Sequence, residues 1–400
     1  MNPTITRRLH GNEQNYVQQV LDSEFRGSKS AGMTGRLEAA FAKRFGSKYA
    51  ISFVNGTATM HAALEARGIG PGDEVIVPPL TMSATTFAVL QANATPVFAD
   101  VEEDTFEISA SAIEACITEK TRAIITVSLF GLAPDMDAIM AIADKHGLFV
   151  IEDNAECFLG QYKGRMVGTL GHCSSFSFQS SKHITSGEGG MVLTDDFELA
   201  DRIRKVQCLG YASVGATRSS VTKLDIQDPD YFRHVTMGWN YRMPELCSAV
   251  ALAQLENIDL LVSRRIEAAQ AFAEAAKGCD WLVPQHTPEG LGNSYWTWVM
   301  VLKRDDISWR QFRDRFVSFG GDGIYAAWQL SYLEPMFQKQ SLLGREKFID
   351  QTILDSYRKG LCPVAERLQP RLLQFKNSYW DPADAQRQAE VLRKTIASFS

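Results

Sequence analysis

Two segments of this chain place side chains where they can do chemistry as a pair. In Phe149-Val150-Ile151-Glu152-Asp153-Asn154-Ala155-Glu156 an apolar run ends in carboxylates. In Ser174-Ser175-Phe176-Ser177-Phe178-Gln179-Ser180-Ser181-Lys182 a second run exits through hydroxyl residues into a lysine, and Gly187-Glu188-Gly189-Gly190 follows. The carboxyl ends of strands in an open α/β sheet are where such sheets bind ligands. Alone, Asp153 reads as a helix cap and Lys182 as a solvated loop lysine. Together they supply an amine for a Schiff base and an acid to hold a pyridine nitrogen protonated, the two requirements of pyridoxal-phosphate (PLP) chemistry. The lysine, once displaced by an amino donor, is also the base for the α-proton. The small residues around it suit close approach of backbone to a ligand. A phosphate site is the third requirement. Asn55-Gly56-Thr57-Ala58 opens a predicted helix, whose free N–H groups and dipole favour an anion. Gly56 permits close approach there and Thr57 offers a hydroxyl, although small polar residues begin many helices.

The elements that must carry these residues follow from the apolar pattern. Arg36–Phe45 reads as an amphipathic helix and Asn55–Arg67 as a second. Short apolar runs come next, at Glu74–Val77, Thr95–Phe98, Ala123–Val127, Leu148–Ile151, Ser174–Phe178 and Met191–Leu193. Such strands, separated by helix-length segments, predict an α/β fold with a mostly parallel sheet covered on both faces. After Asn240 the character changes. Pro244 to Ala276 reads as one almost continuous helix closed by Gly278. Ser294–Lys303 alternates like a half-exposed strand, and Trp309–Phe319, Asp350–Gly360 and Pro382–Ser398 read as helices. The division expected is a large α/β domain over residues 1–250, including an N-terminal segment 1–34, and a smaller C-terminal α+β domain over 251–400.

Composition removes several function classes. The 400 residues are 45% hydrophobic and 22% charged, ordinary for a soluble protein, and the net charge of −6 argues against a nucleic-acid surface or a polybasic membrane anchor. The N-terminus MNPTITRRLHGNEQ has no apolar run behind its arginines, so no secretory signal and a cytoplasmic location are expected. The seven cysteines are scattered without a CxxC pair, which predicts reduced, mostly buried thiols, and the dispersed histidines form no metal motif. Neither a nucleotide P-loop nor an NAD glycine fingerprint is present. The Arg202–Lys205 cluster reads as a solvated helix face.

Taken together, FVNGTATMHAAL, GDEVIVPPLTMSATTFAVLQANATPVFADV, FGLAPDMDAI, VIEDNAECFLGQYKGRMVGTLG, SFSFQSSKHITSGEGGMVLTDD and MGWNYRMPELCSAVALAQLENID resemble the DegT/DnrJ/EryC1/StrS group of PLP-dependent sugar aminotransferases. The resemblance implies PLP-dependent transferase fold type I. It also implies that Lys182 carries the Schiff base, that Asp153 pairs with the pyridine nitrogen, and that Gly56, Thr57 and Ser177 hold the phosphate. Asn240 is expected to reach the cofactor of a neighbouring subunit, making a homodimer with shared sites. Glu156 takes the place beside the ring hydroxyl where the family more often has Gln or His. It must therefore be protonated or turned away, because two anionic oxygens there would repel. Met82 stands where an aromatic commonly stacks on the ring; a thioether packs there more loosely, or belongs to the core.

The resemblance implies transfer of an amino group from glutamate or glutamine to a keto sugar: a nucleotide-linked keto-deoxy sugar, an inosose or an ulosonate. Arg242 is a candidate for a carboxylate of donor or acceptor, or for an interface ion pair. Tyr325, Trp328 and Tyr332 are candidates for the acceptor pocket, or for core and interface packing. Two alternatives stay open. One branch of the family has histidine in place of the lysine and dehydrates keto-deoxy sugars. Counted from SFSFQ and from GEGG, however, the family lysine falls on Lys182 and leaves His183 as a structural neighbour. The other is a non-catalytic PLP-binding regulatory protein that keeps the fold.

Overall fold

The computed structural model describes residues 7–25 and 32–399. The start of the chain, on which the reading of no secretory signal partly rests, and residues 26–31 of the N-terminal segment lie outside the described residues. The first nine strands are β1 (Tyr49–Phe53), β2 (Glu74–Val77), β3 (Thr95–Phe98), β4 (Thr121–Val127), β5 (Phe149–Asp153), β6 (Gln161–Tyr162), β7 (Arg165–Met166), β8 (Cys173–Ser177) and β9 (Gly190–Thr194). Seven of them form one sheet in the order β1-β9-β8-β5-β4-β2-β3. Strands β8, β5, β4, β2 and β3 pair in parallel, and β9 runs antiparallel to both β1 and β8. Every residue of β2, β5, β8 and β9 is buried, so none of these strands alternates between a buried and an exposed face. The runs Glu74–Val77 and Thr95–Phe98 coincide with β2 and β3, and the other runs expected in this sheet shift by one or two residues at their ends.

The remaining strands are β10 (Leu282–Pro284), β11 (Leu291–Gly292), β12 (Trp298–Leu302), β13 (Ile324–Ala326) and β14 (Leu372–Phe375). Four of these make an antiparallel sheet ordered β10-β12-β14-β13, packed with Phe272, Phe312 and Phe316 in a separate core. The helix Pro382–Ala397 packs along Ile258–Ala276 and completes this smaller α+β part. Strand β11 pairs with β6, so the C-terminal part is also stitched to the edge of the first.

Four expectations fail for physical reasons. The half-exposed strand expected over Ser294–Lys303 is β12, Trp298–Leu302, and it is buried throughout, because Val299 and Val301 pack into one core while Trp298, Met300 and Leu302 pack into another. The helix expected from Pro244 to Ala276 is two helices, Glu245–Glu256 and Ile258–Ala276, bent by 64°. Asn257 sits between them at φ −110°, and its side-chain amide donates to Ala253 O at 3.0 Å, competing with the helical ladder. The helix expected over Asp350–Gly360 spans only Gln351–Ser356, because Tyr357 turns out of it to donate its hydroxyl to Pro96 O at 2.6 Å. The Arg202–Lys205 cluster is not wholly solvated. Arg204 is 2% exposed and grips Glu38 through two bonds of 2.8 and 2.7 Å, and Glu38 also accepts from Ser52. All seven cysteines are free thiols. Among the described residues no single helix is long and apolar enough to cross a membrane.

Candidate active site

The parallel pairing of β5 with β8 sets Asp153 opposite Ser175, so the acid and the lysine-bearing loop leave the same edge of the sheet. Gly190, at the start of β9, stands opposite both Phe53 and Ser177, which brings the Asn55-Gly56-Thr57 turn to that edge as well. A cavity of about 640 Å³ opens there, and Asn55, Gly56, Thr57, Met82, Asp153, Glu156, Ser177 and Lys182 all line it. Segments separated by more than a hundred residues converge because the sheet order interleaves them.

Lys182 is held on a tight turn, its N–H donating to Gln179 O at 3.0 Å. Its Nζ lies 3.1 Å from Glu156 Oε1 and 4.4 Å from the centroid of the Trp296 ring. Asp153 is buried, with Oδ2 accepting from the Thr85 hydroxyl at 2.8 Å and Oδ1 from Ala155 N at 3.1 Å. Burial pushes its pKa up, against these hydrogen bonds and the Lys182 charge. Glu156 accepts from Phe130 N at 3.1 Å through Oε2. Burial raises its pKa too, against the pull of Lys182. Glu156 lines the cavity, so it is not turned away from it.

The helix Gly56–Arg67 begins in the cavity wall. Asn55 Oδ1 accepts from Ala58 N at 2.8 Å, and the first-turn amides have no partner within the helix. A Cβ on Gly56 would stand 3.0 Å from Ser177 Cβ, so glycine lets the two phosphate candidates close up. Gly190 is tighter still. A Cβ there would meet Asn55 O at 2.6 Å, so its close approach is to the phosphate turn rather than directly to a ligand.

These features fit PLP. Among the described residues Asp153 has hydrogen bonds only from neutral donors, and a protonated ring nitrogen is the cationic partner that such a buried carboxylate lacks. The start of the helix suits a phosphate, and the Lys182 amine lines the same cavity.

Other expected residues lie elsewhere. His183 is 0% exposed, meets Ser294 O at 3.0 Å through Nε2 and does not line the cavity. Tyr332 belongs to the core, packing on Phe98 and donating to Glu366 at 2.6 Å, so it does not line an acceptor pocket. Trp328 lines the Lys182 cavity, whereas Tyr325 lines an adjoining cleft. Asn240 and Arg242 are exposed and do not line their own chain's cavity. The sequence also missed participants. Thr85 orients Asp153. Trp296 covers Lys182 and donates from its ring nitrogen to Ser181 O at 3.0 Å. Arg8 and Arg265 both donate to the carbonyl of Lys182, the latter at 3.2 Å. None of the four carries a local motif; only the fold brings them in.

The profile of the DegT/DnrJ/EryC1/StrS aminotransferase family matches residues 7–362. Over 303 residues the chain is 41% identical to the GDP-perosamine synthase of Escherichia coli O157:H7, a match covering 76% of this chain and 78% of that one. It is 40% identical over 329 residues to the spore coat polysaccharide biosynthesis protein SpsC of Bacillus subtilis (strain 168), covering 81% and 83% of the two chains. The X-ray structure of the aminotransferase from Psychrobacter cryohalolentis superposes with a TM-score of 0.85 at 30% identity over 96% of each chain. With Lys182, Asp153 and the glycine turn gathered at one cavity, these likenesses have a chemical basis: the chain belongs to the DegT/DnrJ/EryC1/StrS aminotransferase family and is a PLP-dependent aminotransferase.

Proposed function

We propose that this enzyme moves an amino group from glutamate or glutamine to the ketone of a sugar, with Lys182 as the base that carries the α-proton. The observation that supports this best is the position of Lys182 Nζ, 3.1 Å from Glu156 and in the same cavity as Asp153 and the Gly56–Thr57 turn. When bound, PLP supplies the electron sink and carries the amino group between the donor and acceptor half-reactions. Asp153 holds the ring nitrogen protonated, and Thr85 fixes that carboxylate. Gly56, Thr57 and Ser177 bind the phosphate. Glu156 would stand beside the ring hydroxyl, and Trp296 and Trp328 wall the cavity against water. The names of two relatives, a GDP-perosamine synthase and a polysaccharide biosynthesis protein, support a sugar acceptor, nucleotide-linked or free.

The active unit in this reading is a homodimer in which Asn240 reaches the partner's phosphate site. In support, Asn240 is exposed, and the segment before it carries Phe232 at 82% and Met237 at 71% exposure, apolar surface that a second copy would cover.

Lys182→Ala tests the assignment. The variant should fold, lose the visible band of the lysine-bound cofactor and lose the donor half-reaction with glutamate by a factor of about 10³ or more. A variant that keeps both band and rate refutes the role of Lys182. Wild-type enzyme loaded with the amino form of the cofactor, mixed in turn with nucleotide-linked ketohexoses, inososes and keto ulosonates, should be discharged by one of these classes.

A further inference from the structure

Beside the Lys182 cavity lies a second cleft of about 580 Å³, and the two share Ser181, Trp296 and Trp328 as common wall. Its charge is one-sided. Arg8, Arg265 and Lys376 line it, and no Asp or Glu does. The Lys376 charge is taken up by Asp322 at 2.8 Å. The two arginines have no carboxylate partner among the described residues. Arg8 donates to the carbonyls of Ser180 and Lys182, and Arg265 to those of Ser181, Lys182 and Trp296. Each keeps a buried Nε–H with no acceptor. They flank one ring, standing 5.6 and 5.9 Å from the Trp380 centroid, and the Arg8 charge disfavours that of Arg265. Arg265 is only 2% exposed. Two cations brought together and bonded to neutral carbonyls, with Glu156 acting on Arg265 only through space, leave the cleft itself with an excess of positive charge.

The lining is also aromatic. Trp296 and Trp328 stack at 5.8 Å, and Tyr325 stands exposed at the mouth. Flat aromatic faces pack the C–H faces of a sugar, while a guanidinium reads an oxyanion. We propose that this cleft binds an anionic group, a carboxylate or a phosphate, carried by the acceptor sugar, with Arg8 and Arg265 selecting charged acceptors over neutral ones. The inference rests on the reading of a keto-sugar acceptor above and adds its charge. The donor meets its base at Lys182; the cleft holds what extends past it.

Three tryptophans, Trp296, Trp328 and Trp380, line the cleft, so its occupancy is readable by intrinsic fluorescence without turnover. Holoenzyme is titrated with D-glucose, D-glucuronate and glucose 1-phosphate at low and high salt. The expected result is that at least one of the two anions binds tenfold or more tighter than glucose, an advantage that shrinks as salt screens it. Whichever of the two anions binds tighter identifies carboxylate or phosphate as the group read. Arg8→Gln should remove about tenfold of that affinity, the loss expected for one charge-assisted contact. Ser378→Asp, which adds a carboxylate to the same lining, should do likewise while leaving the donor half-reaction with glutamate within about twofold. The proposal is overturned if glucose binds as well as both anions, or if Arg8→Gln leaves anion affinity unchanged. It is equally overturned if Ser378→Asp slows the donor half-reaction as much as it weakens the anions. Failure of every keto sugar to discharge the aminated enzyme would defeat the aminotransfer reading yet leave anion binding in the cleft measurable, so the two failures are distinct.

Discussion

Asp153, Glu156 and His183 are all buried, and burial acts on each in a direction fixed by its chemistry. It raises the pKa of both carboxyls and pushes His183 well below its ordinary value of 6.5, because in each case the charged form loses its water. For His183 the sign of the linkage is definite. The unfolded chain takes up a proton near pH 6.5 while the folded chain does not until well below, so stability is lost as pH falls through that window. The cost is up to about 1.4 kcal/mol per unit of acidification until the folded pKa is reached. The buried carboxyls act in the opposite sense, gaining stability as pH falls, so a variant comparison is needed to isolate the histidine. His183→Gln keeps a donor for Ser294 O. Its melting temperature should fall less steeply than that of wild type between pH 7 and 5.5 in calorimetry. Parallel slopes would show that His183 is not the group responsible.

The elements around the cavity meet through glycine at one point above all. β9 starts against the turn that opens the helix Gly56–Arg67, and a Cβ on Gly190 would stand 2.6 Å from Asn55 O and 2.9 Å from Gly56 N. Both obstacles are backbone, so neither can swing aside. Gly190→Ala should therefore destabilise the protein by about 1–3 kcal/mol through overpacking. It should also weaken PLP binding about tenfold, because the turn that moves is the one whose N–H groups face the anion. Equilibrium denaturation and a PLP titration of the apo-protein check the two effects separately. Unchanged affinity in a destabilised variant would detach the turn from the phosphate. The same region shows what one-dimensional pattern can and cannot reveal. The apolar runs of β2 and β3 are legible because strands buried on both faces have no polar alternation to blur them. The break at Asn257 is not, because a single asparagine side chain bonding back to Ala253 decides it inside an otherwise helical sequence.

At the scale of the whole molecule the question is what completes the site. Asn240 and the apolar side chains of Phe232 and Met237 are exposed in the single chain, while the cavity wall that would receive an asparagine lies on another copy in the reading above. A shared site makes a sharp prediction. Lys182→Ala and Asn240→Ala each inactivate as homodimers, but a hybrid pairs an intact lysine with an intact asparagine at one of its two sites. Random reassortment of an equal mixture should recover about one quarter of wild-type activity. No recovery after verified subunit exchange would place Asn240 outside the partner's site.

By itself the sequence determined the parts whose signal is local. These are the strands, the helix start at Asn55, and the placing of Asp153, Lys182 and the Asn55-Gly56-Thr57 turn at or just beyond the ends of strands. Only the tertiary structure decided which distant side chains complete the cavity, because the sheet order β1-β9-β8-β5-β4-β2-β3 juxtaposes segments far apart in the chain. It moved Tyr332 into the core and Arg204 onto Glu38. It also brought Thr85, Trp296, Arg8 and Arg265 to Asp153 and Lys182. Burial, which raises the pKa of Glu156 and leaves Arg265 almost without water, is a property of packing, and no residue carries it alone.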